Sequence, residues 1–142
     1  MTSENAKRFF ENHFGEKSTQ FVTLAQSGSA RVNFLAQNQT GKYIITYNEN
    51  LLENESFLYF SGIFSDLNLN TPKIFTISDD RKMYIQEFLG KNTFSDIIAK
   101  EGLSENVKSL VKQTLEKLYT LQIKKQDKVD FTKTFEYESY DE

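Results

Sequence analysis

Two groups of short strands, separated by one long amphipathic segment, constrain this chain more than anything else in it. Gln20 to Ala25 and Arg31 to Gln37 carry strand-like patterning on either side of a turn built from Gln26-Ser27-Gly28-Ser29-Ala30. Asn38-Gln39-Thr40-Gly41-Lys42 then turns the chain into a third strand, Tyr43 to Tyr47. Leu51 to Leu67 places Leu52, Phe57, Phe60, Ile63, Phe64 and Leu67 on one side of a helix. Pro72, the only proline, biases Thr71 toward an extended conformation and starts a return strand, Lys73 to Ile77. Ser78-Asp79-Asp80-Arg81 is the hairpin turn into a fifth strand, Met83 to Phe88. Connections this short join antiparallel neighbours. The expected fold class is therefore α+β, a five-stranded antiparallel sheet with one packed helix.

The flanks are helical. Ala6, Phe9, Phe10, His13 and Phe14 recur at spacings of three and four and end at Gly15, which predicts a short helix docked on the sheet. After Gly90, Thr93 or Ser95 can cap a helix that Gly102 breaks, and Ser104 can cap a longer one. In that longer helix Val107, Leu110, Val111, Leu115, Leu118 and Leu121 form an expected buried stripe, while Lys108, Lys112 and Lys117, followed by Lys124, Lys125, Lys128 and Lys133, read as a solvated face. The chain thus divides into residues 1–90, a sheet-based lobe, and residues 91–142, a linker with helices and an acidic tail, Glu136 to Glu142.

Charge and composition exclude several classes of function. With 17 basic and 20 acidic residues the formal charge is −3, which gives no electrostatic footprint for nucleic acid and no attraction to an anionic membrane. Zero cysteines and a single histidine, His13, leave neither a disulfide framework nor a zinc ligand set. The N-terminus has no apolar run of the kind that targets or spans a membrane, so a cytoplasmic location is expected. Small anionic ligands stay open, because they need only local charge.

Two segments have the chemistry for such a ligand. A turn holding Gly28 lets backbone N–H groups and the hydroxyls of Ser27 and Ser29 approach phosphate oxygens, and Arg31 adds a fixed positive charge. The same sequence also makes an ordinary hairpin turn. Gln86-Glu87-Phe88-Leu89-Gly90 leaves the sheet with alternating backbone donors and acceptors that suit the edge of a purine, and Ile44, Phe88 and Leu89 can sandwich a ring. Phe88 could equally belong to the core. Glu53 and Glu55 open the central helix, where acidic side chains favour the positive end of the dipole whether or not they also meet a ligand.

Ser27-Gly28-Ser29-Ala30-Arg31, Tyr47-Asn48 leading to Glu53-Asn54-Glu55-Ser56-Phe57, Leu69-Asn70-Thr71-Pro72 and Tyr84 to Gly90 together resemble, over roughly residues 20 to 125, the aminoglycoside phosphotransferase and choline kinase-like family. The branch most similar contains bacterial kinases of N-acetylmuramate and N-acetylglucosamine. The resemblance implies a kinase-like small lobe that binds ATP. Ser27, Gly28, Ser29 and Arg31 would meet the phosphates, Ile44, Glu87, Phe88 and Leu89 the base, and Glu55 would face the phosphate side. Protein kinases carry a lysine on the third strand, where the register here offers Thr46, an absence that fits the sugar-kinase branch. The catalytic aspartate, the Mg²⁺ site and the sugar site belong in that family to a large lobe, and Val129-Asp130-Phe131 resembles the connector ahead of it.

Two readings of different classes follow. One is the nucleotide-binding half of a phosphotransferase, inactive alone, with Mg²⁺ joining only in the complete protein and the sugar held by the other lobe. The other is a non-catalytic interaction domain with the same lobe shape. On the first reading the long C-terminal helix, left uncovered, is expected either to fold back on its own lobe or to pair with a second copy; on the second, the lobe's apolar lower face meets a partner.

Overall fold

The computed structural model describes residues 3–26, 28, 30–123 and 129–135. Ser27, Ser29, Lys124, Lys125, Lys128 and the acidic tail from Glu136, all singled out above, lie outside the described residues. The fold is α+β. Helix α1 (Ser3–Phe14) precedes strands β1 (Gln20–Thr23), β2 (Val32–Gln37) and β3 (Lys42–Tyr47). Helix α2 (Leu51–Asp66) leads to β4 (Ile74–Ile77) and β5 (Met83–Glu87), and helices α3 (Phe94–Glu101) and α4 (Glu105–Ile123) follow. The five strands form one antiparallel sheet in the order β1-β2-β3-β5-β4. Helix α2 therefore spans the gap between the two hairpin systems, and β4 takes the outer edge beyond β5.

Strand alternation gives the sheet two different faces. On one, Phe34 and Ala36 of β2, Tyr43 and Ile45 of β3 and Ile85 of β5 form the buried core with Ala6 and Phe10 of α1, and Phe9, Phe14, Phe21 and Phe75 pack around it. The spacing of the α1 phenylalanines is thus explained by docking on the sheet. Phe14 lies 4.5 Å from Tyr43, ring centre to ring centre. Helix α1 stops where Gly15, at φ +69°, adopts a left-handed conformation and returns its N–H to Glu11 O at 2.9 Å. The Glu11 carboxylate then ties down the link to β1, accepting from Ser18 N and Ser18 Oγ at 3.0 Å and from Lys17 Nζ at 2.8 Å.

The opposite face carries Asn33 and Leu35 of β2, Ile44 and Thr46 of β3 and Tyr84 and Gln86 of β5, and α2 lies against it through Phe57, whose ring stacks on Tyr84 at 5.2 Å. The expected apolar side of α2 is only partly the packed one. Leu52 is exposed, Phe57, Phe60, Ile63 and Phe64 are half-buried, and the helix residues that are fully buried are Asn54 and Ser61. Asn54 is drawn inward because its Nδ2 donates to the carbonyls of Asn48 at 3.0 Å and Arg81 at 2.9 Å, satisfying strand-end oxygens that the sheet ladder does not reach. Asn50 caps the helix, its Oδ1 accepting from Glu53 N at 3.1 Å.

After β5, Thr93 and Asp96 form a reciprocal capping box at the start of α3, and Ser104 Oγ accepts from Val107 N at the start of α4. The buried stripe expected along α4 is covered only in part. Val107 is buried and Leu110 and Leu121 are half-buried, whereas Val111, Leu115 and Leu118 are exposed. The cause is placement: α4 meets α3 and reaches the end of α2 through Lys117 Nζ on the carbonyl of Asn68, leaving the far side of the stripe toward solvent. Residues 129–135 return to α2, where Asp130 N donates to the Tyr59 hydroxyl at 2.9 Å and a short 3-10 turn covers Phe131–Lys133. Among the described residues no helix is long and apolar enough to cross a membrane.

Candidate functional site

The face of the sheet shared with α2 holds an arrangement of polar groups that burial alone would disfavour. Thr46 Oγ1 donates to Asn33 Oδ1 at 2.7 Å and accepts from Gln86 Nε2 at 3.0 Å, a hydrogen-bonded rung that crosses β2, β3 and β5. Each member satisfies another, which is the condition for keeping polar side chains in such a place. Next to this rung lies Tyr84. Burial pushes its phenol above the usual range, while the neighbouring Arg31 cation acts in the opposite direction.

Arg31 closes one end of this face. It stands just before β2, on the same side as Asn33 and Leu35, and its Nη2 lies 2.6 Å from Glu53 Oε1 in the first turn of α2. Its guanidinium sits over the Phe57 ring, 5.4 Å from the centroid. Glu53 is held from its other side by Asn48 Nδ2 at 2.7 Å. Both partners of the ion pair are mostly covered, with side chains 27% and 23% exposed. Three residues before Arg31, Gly28 stands at φ +63°, a conformation that a larger residue adopts only with strain.

Two further ion pairs fasten the start of α2 to the turn before β5. Arg81 grips Glu55 with Nε on one carboxylate oxygen and Nη2 on the other, and Lys82 Nζ meets Glu49 Oε2 at 2.5 Å. Arg81 holds the Glu55 carboxyl below its ordinary value. Of the two helix-start acids, then, Glu53 meets Arg31, and Glu55 points to the neighbouring hairpin instead. The period of the helix accounts for the split, since residues two apart lie on nearly opposite sides. The resemblance puts Glu55 on the phosphate side, whereas the structure turns Glu55 to Arg81 and brings Glu53 to Arg31.

Glu87, Phe88 and Leu89 lie at the other end of the sheet. Tyr47 pairs with Val32 and Met83 near the Gly28 turn, and Tyr43 pairs with Glu87. Those pairs are four residues apart along β3, a separation of roughly 13 Å at the rise of a strand. Ile44 lies between, half-buried on the α2 face, opposite Leu35 and Gln86. Glu87 is exposed and accepts from Lys73 N at 3.2 Å, Phe88 is half-buried, and Leu89 is exposed. The structure thus brings Arg31 and Ile44 to one face and sets Glu87 to Leu89 at its far end. Sequence reasoning did not assign Asn33 or Glu53 to a site, and it used Gln86 only for its backbone; alternation along β2 and β5 put Asn33 and Gln86 on one face, but nothing in the sequence paired them through Thr46.

A separate open cavity of about 270 Å³ lies between α2 and β4, lined by Leu58, Ser61, Gly62, Ser65, Pro72, Lys73, Ile74 and Ile77, and shares no residue with the Arg31 cluster. Among the described residues no group of three or more His, Cys, Asp or Glu is placed to hold a metal ion. Compared with known proteins, the sequence matches no family model and no curated protein at significance.

Proposed function

We propose that this chain is the ATP-binding small lobe of a small-molecule kinase, similar to the aminoglycoside phosphotransferases and the choline and amino-sugar kinases, working in the cytoplasm. The observation that carries the reading is the Arg31–Glu53 ion pair, which joins a glycine-containing turn to the helix inserted between β3 and β4. That pair lies at one end of a sheet face, and Gln86 to Gly90 lies at the other, a separation comparable to the reach of a nucleotide from base to terminal phosphate. In this reading Gly28 and Arg31 take the phosphates, Ile44 and Phe88 cover the base, and the backbone of Glu87 to Leu89 meets its edge. Thr46 takes the strand position that a lysine occupies in protein kinases, so Arg31 is the cation at the phosphate end.

The catalytic acid, the acids for Mg²⁺ and the sugar or amino-sugar site would belong to a second lobe. The described residues supply binding and orientation only. Purified alone, the chain is expected to release no phosphate from ATP and to phosphorylate no sugar above a buffer control. Turnover by these 142 residues would overturn the small-lobe reading.

A second reading, a non-catalytic interaction domain of the same shape, is favoured by the exposed Val111, Leu115 and Leu118 on α4 and by the neutral rung at Thr46. It predicts a protein partner on α4 and no response to nucleotide.

A further inference from the structure

The Arg31–Glu53 pair presents a difficulty for any anionic ligand. Glu53 neutralises the guanidinium, and the side chains that share the face at this end, Asn33, Thr46 and Tyr84, are neutral. Two other cations beside the start of α2, Arg81 and Lys82, are paired with Glu55 and Glu49. A site whose cations are each matched by a carboxylate has no net attraction for phosphate.

We infer that Glu53 is an internal substitute for the ligand's phosphate, so that an anion binds by taking Arg31 from Glu53. This rests on the nucleotide reading for the identity of the ligand, though not for the exchange itself. The geometry allows the exchange at small cost to the fold. Glu53 keeps its bond from Asn48 Nδ2 when Arg31 leaves, and Asn48 is itself fixed, 2% exposed, with its Oδ1 accepting from Asn50 N at 3.1 Å. Arg31 keeps its seat on Phe57, whose ring is held by stacking on Tyr84. The exchange is then one carboxylate for another anion at a guanidinium that stays on Phe57. Until that happens the pair ties the turn to α2, so that ligand binding loosens the start of the helix from the hairpin.

The test uses the whole chain and two probes that report separately, inorganic tripolyphosphate and adenosine, each titrated by NMR into wild type, Glu53→Gln, Arg31→Gln and the double variant. Glu53→Gln keeps the side-chain oxygen that accepts from Asn48 and removes the competing charge. Tripolyphosphate is expected to bind it about tenfold more tightly than wild type, the scale of one lost charged hydrogen bond. Arg31→Gln is expected to abolish tripolyphosphate binding with or without Glu53, and amide spectra of each variant would verify that it is folded. Unchanged or weaker tripolyphosphate binding by Glu53→Gln would overturn the exchange and make Glu53 a fixed support for Arg31. The adenosine arm bears on the nucleotide reading alone: shifts at Gln86 to Gly90 support it, and their absence removes it while leaving the exchange to stand or fall on tripolyphosphate.

Discussion

The hydroxyl of Thr46 donates a 2.7 Å hydrogen bond to the side-chain oxygen of Asn33 on the neighbouring strand, and in turn accepts from Gln86. At 1% exposure Thr46 has no water to replace either bond. Thr46→Val fills the same space without the hydroxyl and leaves two polar side chains short of a partner. It is expected to destabilise the fold by about 1–3 kcal/mol, seen as a lower denaturation midpoint, while Thr46→Ser keeps most of the stability. A valine variant as stable as wild type would mean that the rung contributes nothing.

Asn54 holds two chain segments at once, and its replacement has a larger effect. Asn54→Ala removes donors to the carbonyls of Asn48 and Arg81 and opens a small void under α2. The expected loss is about 2–4 kcal/mol by urea denaturation. Hydrogen exchange in such a variant should rise first at the start of α2 and in the 78–82 turn, because those are the segments it joins.

Asn54 also marks where the sequence was legible and where it was not. Strand positions, the turns at 38–42 and 78–81, the capped helices after Gly90 and the docking of α1 were all readable, since each depends on local periodicity or turn chemistry. The packed face of α2 was legible only in part: Phe57 and Leu67 of the expected side are covered, but Leu52 is exposed, and Asn54 is drawn in by strand-end carbonyls that only the assembled sheet brings to it. The stripe on α4 misled for a related reason: periodicity states that a face is apolar and says nothing of what covers it. At the site, Arg31 and Ile44 stood out as residue types, but the choice of Glu53 over Glu55 as the partner of Arg31 depends on the helix phase set by the Asn50 cap.

Acid should weaken the attachment of α1 to β1. Hydrogen bonds from Lys17 and Ser18 hold the Glu11 carboxyl at about 2, well below its ordinary 4.5. A carboxyl lowered on folding contributes stability that is complete above the unfolded value and is lost as the pH falls through the folded one. Between about 4.5 and about 2 the chain should therefore lose stability, and Glu11→Gln should flatten that part of the curve. An identical acid limb in the variant would place the titration elsewhere.

Exposed apolar side chains on α4 should drive association. Leu115 is 59% exposed and Ile123 is 63% exposed, with Val111, Leu118 and Tyr119 also open to solvent. Light scattering is expected to reveal dimers at high concentration that added salt does not dissociate, since apolar contacts are not screened. Leu115→Lys should return the chain to monomer. A wild type that stays monomeric throughout would remove the dimer.

The most direct test of the central proposal is an NMR titration of the chain with ADP or ATP. Binding is expected in the high micromolar to millimolar range, about −4 to −5.5 kcal/mol, because on the small-lobe reading these residues form only one wall of a cleft. The account predicts amide shifts in two separate places, Gly28 to Arg31 and Gln86 to Gly90, joined by Ile44 on the face between. Shifts confined to the lysines of α4, or none at millimolar nucleotide, would contradict it.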